Sequence, residues 1–119
     1  MNKEIKDMFT DFTVNSKKIE VAHIKYNGSK DTYVVWTIIE DEPFFAYDDE
    51  IQYSLVTIDM DIYCKGNYLN ILKKIKKIMK NNEWTWIEDS EEMYEDDTKL
   101  YHITSTFEKE RKIKWQEED

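Results

Sequence analysis

From residue 53 to residue 64 the side chains alternate in character. Val56, Ile58, Met60, Ile62 and Cys64 fall on one side, and Leu55, Thr57, Asp59, Asp61 and Tyr63 fall on the other. That period marks a strand with one face buried and the other wet. The run is long for a strand, which predicts a bend, a bulge or an end that projects past the sheet. A break at Lys65, Gly66 and Asn67 follows. Gly66 supplies freedom for a tight turn, and Asn67 is a good helix cap. Tyr68, Leu69, Leu72, Ile75, Ile78 and Met79 then recur at helical spacing, with Ile71 beside them. Lys73, Lys74, Lys76, Lys77 and Lys80 take the opposite side, as in an amphipathic helix. Neither apolar face is stable alone, so the helix must lie on the strand's sheet. At roughly 1.5–3 kcal/mol per buried large apolar side chain, this contact should dominate stability.

Upstream, Ile5, Met8, Phe9 and Phe12 share one stripe of a short helix over residues 2–12. A helix of that length needs tertiary packing to persist. Residues 18–26 read as a strand, with Ile19, Val21 and His23 opposite Glu20, Ala22 and Ile24. Asn27–Gly28 is a hairpin signal, set in a loop lengthened by Ser29, Lys30 and Asp31. Tyr33, Val34, Val35, Trp36, Thr37, Ile38 and Ile39 make a strand that is apolar on both faces. Such a strand is covered twice, by its own fold and by a neighbour.

Residues 40–52 set Pro43, Phe44, Phe45 and Tyr47 among carboxylates and read as a loop. A loop that long inside a compact domain is usually functional or disordered. Asn81 and Asn82 close the long helix, since Asn tolerates the left-handed conformation. A strand over residues 84–88, an acidic loop over 89–98 and a strand over 100–107 follow. In the last strand Tyr101, Ile103, Ser105 and Phe107 share a face. The charged tail, 109–119, carries Ile113 and Trp115 and reads as a strand extension that frays. The order is α-β-β-β-α-β-β. It predicts a single α+β domain over residues 1–119, with a mostly antiparallel sheet of about five strands and two helices packed on one face.

Composition narrows the function. The chain has 119 residues, 40% of them apolar, enough for one core. Its formal net charge of −9 opposes generic nucleic-acid binding, because the phosphate backbone would be repelled. The same charge would suit a DNA mimic. Cys64 is the only cysteine, so there is no disulfide framework and no cysteine-based metal site. It reads as a small core residue. No apolar run reaches the roughly 18–20 residues that span a bilayer. The N-terminus lacks the apolar core of a signal peptide, which predicts a cytoplasmic protein. Gly28 and Gly66 are the only glycines, too few for a Gly-rich phosphate loop.

Candidate chemistry is sparse. Asp59 and Asp61 share one strand face, a spacing that can hold a divalent cation in a small metal-dependent enzyme. The same spacing fits a solvated sheet face or one that meets a neighbouring subunit. Glu95, Asp96 and Asp97 lack the glycine and ligand spacing of a calcium loop and read as an Asx-type turn before the last strand. His23 and His102 are far apart in sequence, and no hydrolase triad stands out. Phe44, Phe45 and Tyr47 either tuck onto the core or form an aromatic docking patch on a mobile loop. Leu55 and Tyr63, on the wet face of the long strand, are the other apolar contact candidates. The lysine face of the helix is either plain surface or a partner for the acidic loops of a neighbouring copy.

Two segments carry a family resemblance. One is Asp59-Met60-Asp61-Ile62-Tyr63-Cys64-Lys65-Gly66-Asn67-Tyr68 leading into the helix. The other is Tyr94-Glu95-Asp96-Asp97-Thr98-Lys99-Leu100-Tyr101-His102 leading into the last strand. Together with the strand start at Asp31-Thr32-Tyr33, they resemble the tail-completion proteins of long-tailed bacteriophages and prophages, also called tail-terminator or head–tail joining proteins. The resemblance covers residues 15–110 in the same order. The chain departs from it at Asn81-Asn82-Glu83, where a glycine is expected, and at Thr106, where an arginine is expected.

The resemblance implies a structural virion component that caps the finished tail tube as a ring, typically a hexamer, and presents a surface to the head connector. It implies a sheet with helices on one side. The implied partners are a second copy, the tail tube protein and the connector, with no direct nucleic-acid binding and no membrane. The implied places are the host cytoplasm during assembly and the head-proximal end of the tail. No catalytic residue, cofactor or metal is implied. Phe44, Phe45, Tyr47, Leu55, Tyr63, Glu95, Asp96 and Asp97 are the interface candidates.

Overall fold

The alternating stretch is the centre of the sheet. In the computed structural model, residues 2–45 and 52–113 are described. The elements are α1 (Asn2–Met8), β1 (Thr13–Val14), β2 (Lys17–Lys18), β3 (Glu20–His23), β4 (Thr32–Phe45), β5 (Gln52–Cys64), α2 (Leu69–Asn81), β6 (Thr85–Asp89), β7 (Met93–Glu95) and β8 (Leu100–Ile113). A 6-stranded sheet runs β3-β4-β5-β8-β6, with β7 also pairing β8, and β1 and β2 form a separate ribbon. The pairings of β4, β5, β6 and β8 with one another are antiparallel. The class is therefore α+β with a mostly antiparallel sheet, built from more strands than the pattern predicted. The extra ones are short pieces that carry little periodicity of their own.

Val56, Ile58, Met60, Ile62 and Cys64 are all buried. They form one core with Val34 and Trp36 of β4, Ile103 and Phe107 of β8, Ile71, Leu72, Ile75 and Met79 of α2, and Ile5 of α1. Both helices thus cover the same sheet face, which is where the apolar stripes require them. Leu69, placed on the stripe by spacing, is 51% exposed because it opens the helix at its rim.

The expected irregularity falls on β4, opposite the long strand. Ile38 pairs Ile58, but Glu40 pairs Thr57, so Ile39 is an extra residue. Ile39 is 53% exposed. A bulge of this kind changes which alternate residues face inward. Asp41 and Pro43 come opposite Val56 and Ser54, and the Asp41 carboxylate accepts the Ser54 hydroxyl. Beyond the bulge, residues 40–45, 52–57 and 108–113 continue as a three-stranded arm, which lengthens the molecule to 52 × 27 × 24 Å.

Several expectations need correction. The loop placed at residues 40–52 is strand at 40–45 and at Gln52. Antiparallel pairing along β5 holds these residues extended although their own strand propensity is low. The tail read as frayed from 109 is strand through Ile113, locked to β5 from Gln52 to Leu55, while Trp115 lies outside the described residues. The Asn27–Gly28 signal does not make a hairpin. β3 and β4 are parallel, with Glu20 opposite Tyr33.

Ile24 turns the chain with φ 68, and the returning loop lays Tyr26 on Tyr33 at 4.1 Å. Gly28 serves that close approach, since a Cβ there would sit 2.1 Å from the Tyr26 hydroxyl. Gly66 does not use its freedom. Its φ is not positive, and a Cβ there would meet nothing within 4 Å. Asn67 accepts the Leu69 N–H at 2.9 Å, but the N-cap of α2 is Tyr68, which makes no side-chain cap bond. At the other end Asn82 is not left-handed, and Glu83 takes that role with φ 70.

Candidate docking surface

The face opposite the helices carries a row of stacked rings. Register places Tyr33 beside Tyr63 and Tyr63 beside His102. The ring centroids are 4.1 Å apart from Tyr26 to Tyr33, 4.9 Å from Tyr33 to Tyr63, and 4.2 Å from Tyr63 to His102. His102 Nε2 lies 2.9 Å from Asp61 Oδ1, and Nδ1 lies 3.7 Å from Glu95 Oε2. Asp61 also accepts the Thr104 hydroxyl, and Asp59 accepts the Thr106 hydroxyl at 2.6 Å. The face is a lattice of cross-strand pairs between β5 and β8.

Burial first, then the negative charges of Asp61 and Glu95 and the nearby Tyr33, push the Tyr63 hydroxyl up to about 12. Burial also raises Tyr33, with Glu95 and Tyr26 adding to it. Both phenols therefore stay neutral across the physiological range and present hydroxyl groups as donors and acceptors.

The interface candidates divide into two groups. Tyr63 and Glu95 meet around His102. Asp96 and Asp97 are exposed in the turn between β7 and β8. That turn is closed by Glu95 and not by an Asx side chain. The Glu95 carbonyl accepts the Lys99 N–H at 2.7 Å, and its carboxylate accepts the Thr98 hydroxyl at 3.2 Å. Leu55 lies at the other end of β5, on the arm, between Glu42 and Glu110. Phe44 and Phe45 are on β4, in register with Tyr53 and Gln52. Their side chains, and the whole of Tyr47, lie outside the described residues. The structure does not join the two groups into one patch, because most of the length of β5 separates them.

The histidine at Asp61 was not legible in the sequence, since 41 residues separate the pair. Among the described residues no three His, Cys, Asp or Glu side chains gather as a metal ion requires.

Two polar hubs on the helix side were also missed. Asp89 accepts the Ser105 hydroxyl at 2.7 Å and the Trp86 indole N–H at 2.9 Å, and pairs with Lys76 of α2 at 2.7 Å. Burial alone would push its carboxyl up, but these donors hold it below the ordinary value. Glu4 of α1 pairs with Lys109 at 3.2 Å and Arg111 at 2.8 Å, tying the first helix to the root of the arm. Part of the lysine face is thus structural. Besides Lys76, Lys74 reaches the Thr13 carbonyl. No short motif announces either hub, because each is assembled from distant elements.

Fold and surface together define a small α+β domain with one sheet face covered by its own helices, the other face polar and aromatic, and an arm standing out from the core. No known family model matches the chain, and no curated protein matches it.

Proposed function

We propose that this chain is a tail-completion protein of a long-tailed bacteriophage or prophage. It caps the tail tube as a ring, in the hexameric form typical of the resemblance, and joins the tail to the head connector. The observation that carries the reading is the pair of segments at residues 59–68 and 94–102. The fold is consistent with it, being a sheet with helices on one side. The arm supports it further, because a projecting three-stranded element is the kind of surface a ring subunit offers to a neighbour or a tube. The protein works by docking, without a catalytic step, in the host cytoplasm and then at the head-proximal end of the virion tail. Its partners are further copies, the tube protein and the connector, and it binds neither nucleic acid nor membrane.

The metal-enzyme reading of Asp59 and Asp61 is weaker, since both carboxylates already accept threonine hydroxyls within the sheet. The DNA-mimic reading rests on net charge alone.

The test is assembly. Deleting the gene from its phage or prophage should give tails of uncontrolled length, or tails that fail to join heads. Normal virions from the deletion would refute the reading. A Phe44→Ser/Phe45→Ser variant should keep its melting curve and lose docking. If it unfolds, these two side chains belong to the core. If it folds and builds normal virions, docking lies elsewhere, with the face of Leu55, Thr57, Asp59 and Tyr63 next in line.

A further inference from the structure

The end of the sheet opposite the arm holds a cleft of about 700 Å³, a size typical of small-ligand sites. It lies between the β1–β2 ribbon, the loop from β3 to β4 and the start of α2. Its floor is apolar, with Val14, Ile19, Cys64 and Ile71 all buried. Its rim carries Lys17, Lys18 and Lys30, all exposed. Asn15, Asn70 and Ser29 add neutral hydrogen-bonding groups. Asp31 is the only carboxylate among the described residues of the wall.

Both basic walls are fixed in place. In the ribbon, Asn15 and Ser16 are left-handed, with φ 52 and φ 67, as a two-residue hairpin turn requires. Lys17 and Lys18 then pair Val14 and Thr13, and Lys74 of α2 holds the Thr13 carbonyl. In the loop, Tyr26 stacks on Tyr33, and its hydroxyl accepts the Lys30 N–H at 3.1 Å. Lysines from two separate segments are thus brought to one place, and little backbone order is left to gain when a ligand arrives.

The charge at the cleft runs against that of the whole chain, which is −9. Lys17, Lys18 and Lys30 have no carboxylate partner among the described residues, where the lysine and arginine ion pairs engage Lys3, Lys65, Lys76, Lys109 and Arg111. Asp31 lies 4.0 Å from Lys65. Three ammonium groups against one carboxylate leave the cleft formally doubly positive. A phosphate monoester carries about −1.5 to −2 at neutral pH and offers three strong acceptor oxygens, so one group can meet all three lysines. A carboxylate brings less charge and fewer oxygens. The apolar floor strengthens the attraction by lowering the local dielectric. Asp31 repels a larger polyanion but accepts a hydroxyl, which favours the phosphate ester of a small polyol.

We propose that this cleft binds a small phosphate ester, its phosphate held by Lys17, Lys18 and Lys30 and its hydroxyl groups facing Asp31. Ring assembly does not depend on such binding, and the site stands or falls apart from the tail reading.

Calorimetric titration of the full chain with ribose 5-phosphate should show one site per chain. Lys17→Gln/Lys30→Gln should weaken it by about tenfold or more. Lys73→Gln/Lys77→Gln removes the same charge from the exposed side of α2 and should leave the affinity unchanged. Asn70→Asp, which sets a second carboxylate in the wall, should abolish binding. All these positions are exposed, and melting curves like that of the wild type would show that the variants fold. Amide shifts on titration should concentrate at residues 14–19, 29–32 and 67–71. Inorganic phosphate distinguishes the two sources of the group. Weaker binding than ribose 5-phosphate upholds the ester, and equal binding makes the free ion the ligand and overturns it. Citrate binding as tightly would show unspecific attraction of anions and would overturn the phosphate assignment. The site itself is refuted if ribose 5-phosphate does not bind at millimolar concentration, if the shifts lie elsewhere, or if Lys73→Gln/Lys77→Gln causes an equal loss.

Discussion

Ile58 has 0% exposure and sits where β5 meets the helices. A carboxylate there would be buried without a partner, a cost of several kcal/mol. Ile58→Asp should therefore abolish the cooperative melting transition, and Leu72→Asp, on the facing side of α2, should do the same. An unchanged melting curve for either would place that residue outside the core. Tyr63 offers a milder probe. Its hydroxyl is raised from 10.0 to about 12 in the fold. The unfolded chain therefore loses this proton first as pH rises. The stabilisation is fully present below about 10, the ordinary tyrosine value, and is lost as pH climbs toward about 12. Tyr63→Phe should flatten the alkaline limb of the stability curve over that window. An equally steep limb in the variant would mean that Tyr63 is not the group responsible.

At the scale of elements, α2 is defined by its ends as much as by its stripe. At its start the Asn67 side chain accepts the Leu69 N–H. At the far end the Asn82 N–H donates to the carbonyls of Ile78 and Met79, and the Trp84 N–H donates to Met79 at 2.9 Å. Between them Glu83 is left-handed, with φ 70. That conformation costs a residue with a Cβ about 1–2 kcal/mol, and glycine escapes it. Glu83→Gly should therefore raise the melting temperature, and a lower one would show that the Glu83 side chain matters more than its backbone. At the helix's middle, Asp89 binds Lys76, Trp86 and Ser105 together. α2 is thereby tied to β6 and β8 by polar contacts as well as by packing.

Across the whole molecule, the covered core and the arm differ in what holds them. The core is apolar and double-layered. The arm is one sheet thick and depends on its ladders, on Asp41 with Ser54, and on Glu4 holding Lys109 and Arg111 at its root. These ion pairs are partly exposed, and each contributes only on the order of 1 kcal/mol. Glu4→Ala should leave the global melting transition within a few degrees of wild type. Amide exchange at residues 109–113 should quicken, while that of Val56 to Ile62 should not. Equal acceleration everywhere would show that arm and core open as one unit. Separable mobility is what a docking element needs, because it can adjust to a partner without disturbing the domain.

Periodicity was enough to read the inward face of β5, the buried stripe of α2, the α+β class and the helices on one side. Those features follow from side-chain spacing along a single strand or helix, and spacing is local. The parallel pairing of β3 with β4 was not legible, because strand direction is decided by which distant backbone offers hydrogen bonds. The extended course of residues 40–45 was hidden for a related reason. Glu40, Asp41, Glu42 and Pro43 are poor strand formers, and only the partner β5 holds them straight. The bulge at Ile39 arises from fitting two long strands together, and it shifts the register of β4 against β5 beyond it. The meeting of His102 with Asp61 follows from β5–β8 register alone. The sequence by itself determined which residues are buried along each element. The tertiary structure decided which elements are neighbours, and so which polar groups converge and which edges stay open.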